Sequence, residues 1–128
     1  MRYVFPAVFE QAEEGGFNVR IPDVPGCFTQ GDTLAEAIYM AQDALAMMIV
    51  YYEDHGNDIP ASSSLEDIKD GKAIVSYVLA DTDQWRRNND NRAVKKTLSI
   101  PSWLNAKASR AGVNFSQVLQ EALVSKLS

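Results

Sequence analysis

Hydrophobic and polar positions alternate along the first part of the chain with the period of two that is typical of half-buried strands. Three short strands are predicted, over residues 2–9, 17–23 and 27–30. The turn EEGG at residues 13–16 joins the first two into a hairpin. Pro6 lacks the N–H that a ladder needs and therefore predicts a sheet edge or a kink within the first strand.

The period then changes to three or four, which predicts one long helix over residues 34–54. Its apolar stripe consists of Leu34, Ile38, Ala41, Leu45, Met48, Ile49 and Tyr52. Thr33 followed by Glu36 fits a capping box at the helix start. Gly56 is a suitable stop, because glycine readily adopts the left-handed conformation that ends many helices.

A second stretch of strand character, KAIVSYVLAD at residues 72–81, follows a loop and, over residues 64–69, at most a short helix capped by Ser64. Residues 1–80 therefore predict a β-β-β-α-β arrangement, an α+β sheet with the long helix on one face. Residues 81–93 are polar, rich in asparagine and charge, and without apolar period. They are predicted to be a linker.

A second module is predicted from residue 94 onward. In VKKTLSI the apolar Leu98 and Ile100 alternate with Lys95, Thr97 and Ser99, which predicts a strand that Pro101 ends. Helices are expected over about 102–111, with Gly112 as the stop, and over 115–127, with Asn114 as the N-cap.

This strand and two helices span about 35 residues, and chains below about 40 residues rarely bury enough surface to fold alone. The economical solution is a homodimer through residues 94–128, in which one strand from each chain pairs antiparallel. The solvent face of such a ribbon would enter a DNA major groove. The predicted DNA-binding residues are Lys95, Thr97, Ser99, Asn114 and Ser116.

Two features of this segment leave an alternative open. Lys96 falls on the side of Leu98, where a buried ribbon face would favour an apolar residue, and is expected to snorkel outward at the ribbon's end. The strand could also serve dimerisation alone, with its lysines present for solubility.

The charge of the 128-residue chain is −5 but is unevenly divided. Residues 1–80 carry 13 acidic and 4 basic side chains, a net of −9, whereas residues 81–128 carry 4 acidic and 8 basic, a net of +4. Such asymmetry suggests two modules with oppositely charged partners. The single cysteine and the absence of a secretion signal or an apolar span of about 20 residues favour a cytoplasmic protein without a membrane partner.

The sequence gives little support for a catalytic function. His55, the single histidine, lies beside the helix-ending Gly56, where it would interact with the helix dipole. Cys27 has no second cysteine or nearby base and is expected to pack as a small hydrophobe. The acidic residues lie mostly in turns and at helix ends, so no metal or other cofactor is predicted. A degenerate nuclease is the enzymatic alternative.

Three stretches carry a resemblance to a known family: FPAVFEQAEEGGFNVRIPDVPGC, TQGDTLAEAI and VKKTLSIPSWLNAKASRAGVNFSQVLQEAL. Together they resemble the HicB antitoxins of type II toxin–antitoxin systems. The resemblance implies a partial RNase H-like sheet without the nuclease's metal site, and a C-terminal DNA-binding domain, here of ribbon-helix-helix type. It further implies a small basic HicA-type toxin that cleaves mRNA as the partner, and repression of the chain's own operon.

An acidic module suits a basic toxin by electrostatic complementarity. The expected toxin-binding residues are Glu10, Glu13, Glu14, Glu53 and Asp54. A different class of function stays open: a stand-alone repressor whose first module binds a small ligand. Its pocket would be lined by Tyr39, Met40, Met47, Met48 and Tyr51, a set that equally suits a plain core. The sequence also leaves open whether dimers associate into tetramers.

Overall fold

The computed structural model describes residues 1–68 and 71–128, which form two compact units, residues 1–91 and 92–128. We call these the N-terminal unit and the C-terminal unit. The N-terminal unit contains β1 (Arg2–Gln11), β2 (Phe17–Arg20), β3 (Phe28–Gly31), α1 (Leu34–Asp54), β4 (Ile74–Asp81) and α2 (Thr82–Asn88). The C-terminal unit contains α3 (Ser102–Arg110) and α4 (Phe115–Leu127). Each unit is described by itself.

The four strands form one antiparallel sheet in the order β3-β2-β1-β4, which confirms the predicted β-β-β-α-β order. β1 is central and pairs with β4 from Arg2 to Phe9, but with β2 only from Val8 onward. Pro6 therefore lies in the half of β1 that has a single neighbour. The missing N–H of Pro6 therefore interrupts no hydrogen bond to β2. The predicted sheet-edge position is confirmed on the β2 side of this half of β1.

The core lies between the sheet and α1. Phe5, Ala7 and Phe9 alternate along one face of β1 and are buried against the helix. The other buried members of this core are Val19, Ile21, Val24, Cys27, Ala37, Ala41, Leu45, Ala46, Ile49, Val78 and Ala80. Burial of this apolar surface is the main force that holds the N-terminal unit together.

α1 has the bounds that its periodicity predicts. The Thr33 hydroxyl oxygen accepts a hydrogen bond of 3.1 Å from the Glu36 N–H, which satisfies one of the free donors of the first turn. The helix ends at His55, and Gly56 follows with φ +66°. Among the described residues α1 is also the one helix long and apolar enough to cross a membrane, but its apolar stripe is part of the core.

The secondary structure of two segments differs from prediction: the predicted linker over 81–93 and the short helix predicted over 64–69. The predicted linker over 81–93 begins with α2, whose N-cap Asp81 accepts a hydrogen bond of 3.1 Å from the Gln84 N–H. This bond is the main reason that the pKa of Asp81 is lowered. The helix has no apolar period because it has a single apolar residue packed against the core, Trp85. The buried Thr82 at its start donates a hydrogen bond to the Met1 carbonyl oxygen. Residues 65–67 form a turn, and the end of the predicted helix over 64–69 lies outside the described residues.

The strand predicted over residues 94–100 is absent from the single chain, where the segment forms no ladder. A strand exists only beside another strand, and the C-terminal unit contains only helices otherwise. The two predicted helices are confirmed, with Asn114 as the N-cap of α4 and Gly112 at φ +71° after α3. The local signals for helices were therefore sufficient, whereas the predicted strand does not form because no other segment of this unit pairs with it.

Gly31 sets the distance between the sheet and α1. A Cβ atom at this position would lie 2.4 Å from the Ala37 backbone nitrogen and 2.7 Å from its Cα. Both neighbours are main-chain atoms within a helix, so neither can move aside without displacing α1. The glycine is required here for close approach, not for a special backbone angle.

We predict that Gly31→Ala destabilises the N-terminal unit by about 2–3 kcal/mol, because the added methyl must push α1 off the sheet. The measurement is the urea dependence of labelling at Cys27, a buried thiol in this core. Gly15→Ala is the control, since a Cβ there has open space and only the backbone angle of +98° is strained, at a cost of about 1 kcal/mol. Equal effects of the two substitutions would contradict the close-approach argument.

Candidate binding surfaces

The hairpin between β1 and β2 carries three of the acids predicted to bind a toxin. Glu10 lies in β1 opposite Asn18, and its Oε1 is 3.6 Å from the Nε of Arg20. Glu13 and Glu14 lie exposed in the turn. Beside them is an open pocket of about 420 Å³, lined by Glu10, Asn18, Val19, Arg20, Phe28, Thr29 and Gln30.

The other two acids, Glu53 and Asp54, are not brought to this surface. Gly31 and the hairpin turn meet near the start of α1, because a Cβ on Gly16 would contact Gly31 and Asp32. Glu53 and Asp54 end the helix 21 residues later, about 30 Å away at 1.5 Å per residue. The five predicted acids therefore form two separate clusters, and Asp54 already binds Arg86 at 2.8 Å.

Phe28 is a feature of the pocket that sequence reasoning missed. Its side chain is 74% exposed although it lies within β3. Phe28 pairs with Arg20, while the neighbouring Thr29 pairs with Val19 of the core. Alternation along FTQG thus turns the phenylalanine away from α1. Alternation along this short strand separates Phe28 from Thr29, but only the pairing of β3 with β2 shows which of the two faces outward.

The residues considered for catalysis have structural roles. The Nδ1 atom of His55 lies 2.8 Å from the Tyr51 carbonyl oxygen, and the two rings stack with their centroids 4.0 Å apart. Cys27 is buried, and burial raises the pKa of its thiol to about 11, so it is protonated at neutral pH. Among the described residues no three His, Cys, Asp or Glu side chains are placed to hold a metal ion.

The residues suggested for a small-ligand pocket do not converge. Met48 packs against the core, Met47 and Tyr51 are exposed, and the exposed Tyr39 borders an open pocket with residues of β4 and α2. Exposed and buried positions around one helix cannot enclose a single cavity. Nothing in their arrangement favours a ligand-sensing role over a plain helix surface.

The C-terminal unit has no interior of its own. None of residues 92–128 is buried, and only Ala108, Val113 and Leu119 are half-buried. Its large exposed apolar side chains are Val94, Leu98, Ile100, Trp103, Leu104, Phe115, Val118, Leu123, Val124 and Leu127. A groove of about 490 Å³ lies between the extended segment and α4, lined by Lys96, Leu98, Ile100, Asn105, Phe115, Ser116, Val118, Leu119 and Ala122.

Of the predicted DNA-binding residues, only Ser116 is among those that line this groove. Lys95, Thr97 and Ser99 are exposed and do not line the groove, whereas Lys96 does, as the alternation predicts. The Asn114 side-chain oxygen accepts a hydrogen bond of 3.1 Å from the Gln117 N–H, which leaves its amide hydrogens as donors. Ser116 lies in the first turn of α4 and borders the groove.

Comparison with known proteins now identifies the family. The profile described as "HicB_like antitoxin of bacterial toxin-antitoxin system" matches residues 5–122. The chain belongs to the HicB-like antitoxin family. It is therefore an antitoxin of a toxin–antitoxin system, and members of this family are generally non-enzymatic regulators, so we do not assign it an enzymatic activity.

Curated relatives of this antitoxin match mainly over part of their length. Antitoxin HicB of Escherichia coli K12 is 42% identical over 65 residues, covering 51% of this chain and 46% of the relative. Antitoxin HicB 1 of Photorhabdus laumondii is 47% identical over 60 residues, covering 47% of this chain and 37% of the relative. The chain thus spans less than half the length of these two named antitoxins.

Solved structures extend the likeness to the whole chain. A toxin–antitoxin complex from Streptococcus pneumoniae contains a chain with a TM-score of 0.60 and 25% identity, covering 98% of this antitoxin and 99% of that chain. A complex of HicA3 and HicB3 matches with a TM-score of 0.52 and 26% identity over 62% of this antitoxin and 99% of that chain. Both of these structures are toxin–antitoxin complexes.

Proposed function

We propose that this antitoxin neutralises a HicA-type, mRNA-cleaving toxin with its N-terminal unit and represses its own operon with its C-terminal unit. The observation that carries the proposal is the contrast between the two units. Residues 1–91 enclose a core and carry 16 acidic and 6 basic side chains, a net of −10. Residues 92–128 bury nothing and carry 1 acidic and 6 basic side chains, a net of +5.

Toxin binding is assigned to the N-terminal unit on two grounds. The antitoxin-like chain in the complex of HicA3 and HicB3 corresponds to only 62% of this chain. The isolated N-terminal domain of the Burkholderia pseudomallei antitoxin HicB corresponds to the same share. We interpret the sheet and its single long helix as the partial RNase H-like domain that the family resemblance implies.

Within this unit we assign the toxin contact to the pocket around Phe28. An exposed aromatic ring beside a pair of opposite charges, here Glu10 and Arg20, has the anatomy of an interface anchor with a polar rim. Glu13 and Glu14 add negative charge next to it, which would speed encounter with a basic toxin. Glu53 and Asp54 lie at the other end of α1 and are outside this surface.

Phe28→Ala is expected to weaken toxin binding by about 2 kcal/mol, roughly 30-fold, because an interface anchor is lost. The measurement is the dissociation constant for the HicA-type toxin of the same operon, with rescue of growth arrest as a cellular readout. Tyr39→Ala is the matched control, since Tyr39 is 68% exposed on the same unit but lies on α1. The site would be wrong if both variants bound toxin like the parent chain.

The C-terminal unit is proposed to be a ribbon-helix-helix homodimer. Four of its exposed apolar side chains line one groove, and a second copy seated there would bury them: Leu98, Ile100, Phe115 and Val118. Pairing of residues 94–100 with the same segment of a second copy would complete the missing ladder. The symmetric ribbon would then present Lys95, Thr97 and Ser99 twice on its solvent face.

DNA contact follows from the chemistry of that face. A two-stranded ribbon enters the major groove, where lysine donates to guanine and hydroxyl groups bind several bases. The Asn114 amide and the free N–H groups at the start of α4, beside Ser116, would hold a phosphate. The positive charge of the C-terminal unit favours binding to the phosphate backbone.

Lys95→Ala should weaken binding to the DNA upstream of the gene, measured across a salt series. Loss of a phosphate contact reduces the salt slope by about one, whereas loss of a base contact relaxes sequence preference at about 1–3 kcal/mol. Lys96→Ala is the matched control, because this neighbour has the same charge but lines the groove on the other side. Unchanged DNA affinity of Lys95→Ala would remove that residue from the interface.

A further inference from the structure

The residues of α3 divide between two faces of the helix. The half-buried Ala108 and Leu104, one turn earlier, follow one face. Trp103, Lys107 and Arg110 follow another, because residues four and three positions apart lie on the same side of a helix. We call these three residues the outer face of α3. None of them lines the groove in which a second copy is proposed to sit.

The outer face presents three hydrogen-bond donors to water. Trp103 is 67% exposed in the first turn of the helix, and Lys107 and Arg110 are exposed in its last turn. In the part of the chain that the structure describes, the Trp103 indole N–H donates to no other residue. Indole, ammonium and guanidinium N–H groups are all donors, so this face suits a ligand that is rich in acceptor oxygens.

No acid of the C-terminal unit neutralises the two cations of the outer face. The single acid of this unit is Glu121, which accepts a hydrogen bond of 3.1 Å from the Gln117 side chain. Neither Lys107 nor Arg110 forms an ion pair with a described residue. The Arg110 Nε donates to a backbone carbonyl oxygen at 3.4 Å, which leaves the Nη atoms available. The outer face therefore contributes two uncompensated charges to a unit with a net charge of +5.

α3 connects two segments that are proposed to contact DNA. Ser99 of the ribbon lies three residues before the start of the helix, and Asn114, the N-cap of α4, lies four residues after its end. The turn between the helices is tight, because the Val113 N–H donates to the Ala108 carbonyl oxygen at 3.2 Å. Both cations of the outer face lie in the turn of α3 next to this connection, close to the start of α4.

Cations in the last turn of a helix also stabilise the helix itself, because they interact with its dipole. This effect accounts for the position of Lys107 and Arg110 but not for Trp103, which lies at the opposite end of α3. It also changes the stability of the helix rather than its affinity for a ligand. Measurements of binding and of helix content therefore separate the two roles.

We propose that the outer face of α3 binds the sugar–phosphate backbone of DNA beside the groove that the ribbon enters. Lys107 and Arg110 donate to phosphate oxygens, and the Trp103 N–H donates to a further one. DNA is the occupant because it is a polyanion, and because this face adjoins both proposed DNA contacts. The inference rests on the DNA binding proposed for the C-terminal unit and extends it to α3.

The test is DNA binding by the full chain across a salt series. The probes are the duplex upstream of the gene and a scrambled duplex of equal length. Lys107→Gln and Arg110→Gln each remove one charge and introduce a good helix former. Each should reduce the slope of log affinity against log salt concentration by about 0.9, and the double variant by about 1.8, on both duplexes. The preference for the upstream duplex should stay that of the parent, because backbone contacts carry no sequence information.

Lys126→Gln is the matched control, because Lys126 is a cation of the same unit in the last turn of α4. This variant should keep the parent slope. Tryptophan emission provides a second readout, since the chain has two tryptophans and the other, Trp85, lies in the N-terminal unit. DNA should change the emission of the parent chain but not that of Trp103→Phe.

Three results would overturn the inference. If the parent binds the upstream duplex but the double variant keeps the parent slope and native circular dichroism, the outer face does not contact DNA. If Lys126→Gln lowers the slope as much as Lys107→Gln, the effect is one of overall charge and not of this face. If the parent chain binds neither duplex, the proposed repressor function fails, and the inference fails with it.

Discussion

The apolar side chains of residues 92–128 have no interior to enter within their own unit. Two short helices and an extended segment leave Val118 and Leu123 half exposed and Leu127 almost fully exposed. Exposing so much apolar surface to water is unfavourable, and a segment of this length cannot bury it by folding on itself. Our account of DNA binding depends on this constraint, because the same second copy that covers the helices would complete the ribbon.

The N-terminal unit has the opposite character. Its sheet and α1 enclose a continuous core, and the close approach at Gly31 fixes the helix against the strands. A rigid body of this kind can present binding groups without reorganising them, which lowers the entropic cost of association. We propose that the β3 side of this body, with Phe28, is the side that binds the toxin.

Sequence patterns predicted the helices whose ends are determined by hydrogen bonds between neighbouring residues. The period and caps of α1 and α4 gave their bounds, because the Thr33 and Asn114 side chains bond the helix starts as expected. α2 escaped prediction because Trp85 is its single apolar residue packed against the core, beside the buried polar Thr82, and one apolar position produces no period. The strand over 94–100 is absent because no other segment of its unit pairs with it.

For the candidate sites, too, the sequence predicted only what neighbouring residues determine. The alternation of Lys95 with Lys96 was readable from the sequence, because neighbouring residues in an extended segment point to opposite sides. The division of the predicted toxin-binding acids was not, because Glu10 and Glu53 are brought to opposite ends of α1 only by the packing of that helix. Phe28 is likewise recognisable as exposed only once the pairing of β3 with β2 is known.

Hydrogen–deuterium exchange of the full chain over a dilution series tests the central claim most directly. The account predicts that amides of α3 and α4 lose protection as the protein is diluted, because a second copy stabilises them, while the core amides of β1 and α1 keep theirs. Protection of α3 and α4 that is strong and independent of concentration would contradict it, since the C-terminal unit would then be stable without a second copy.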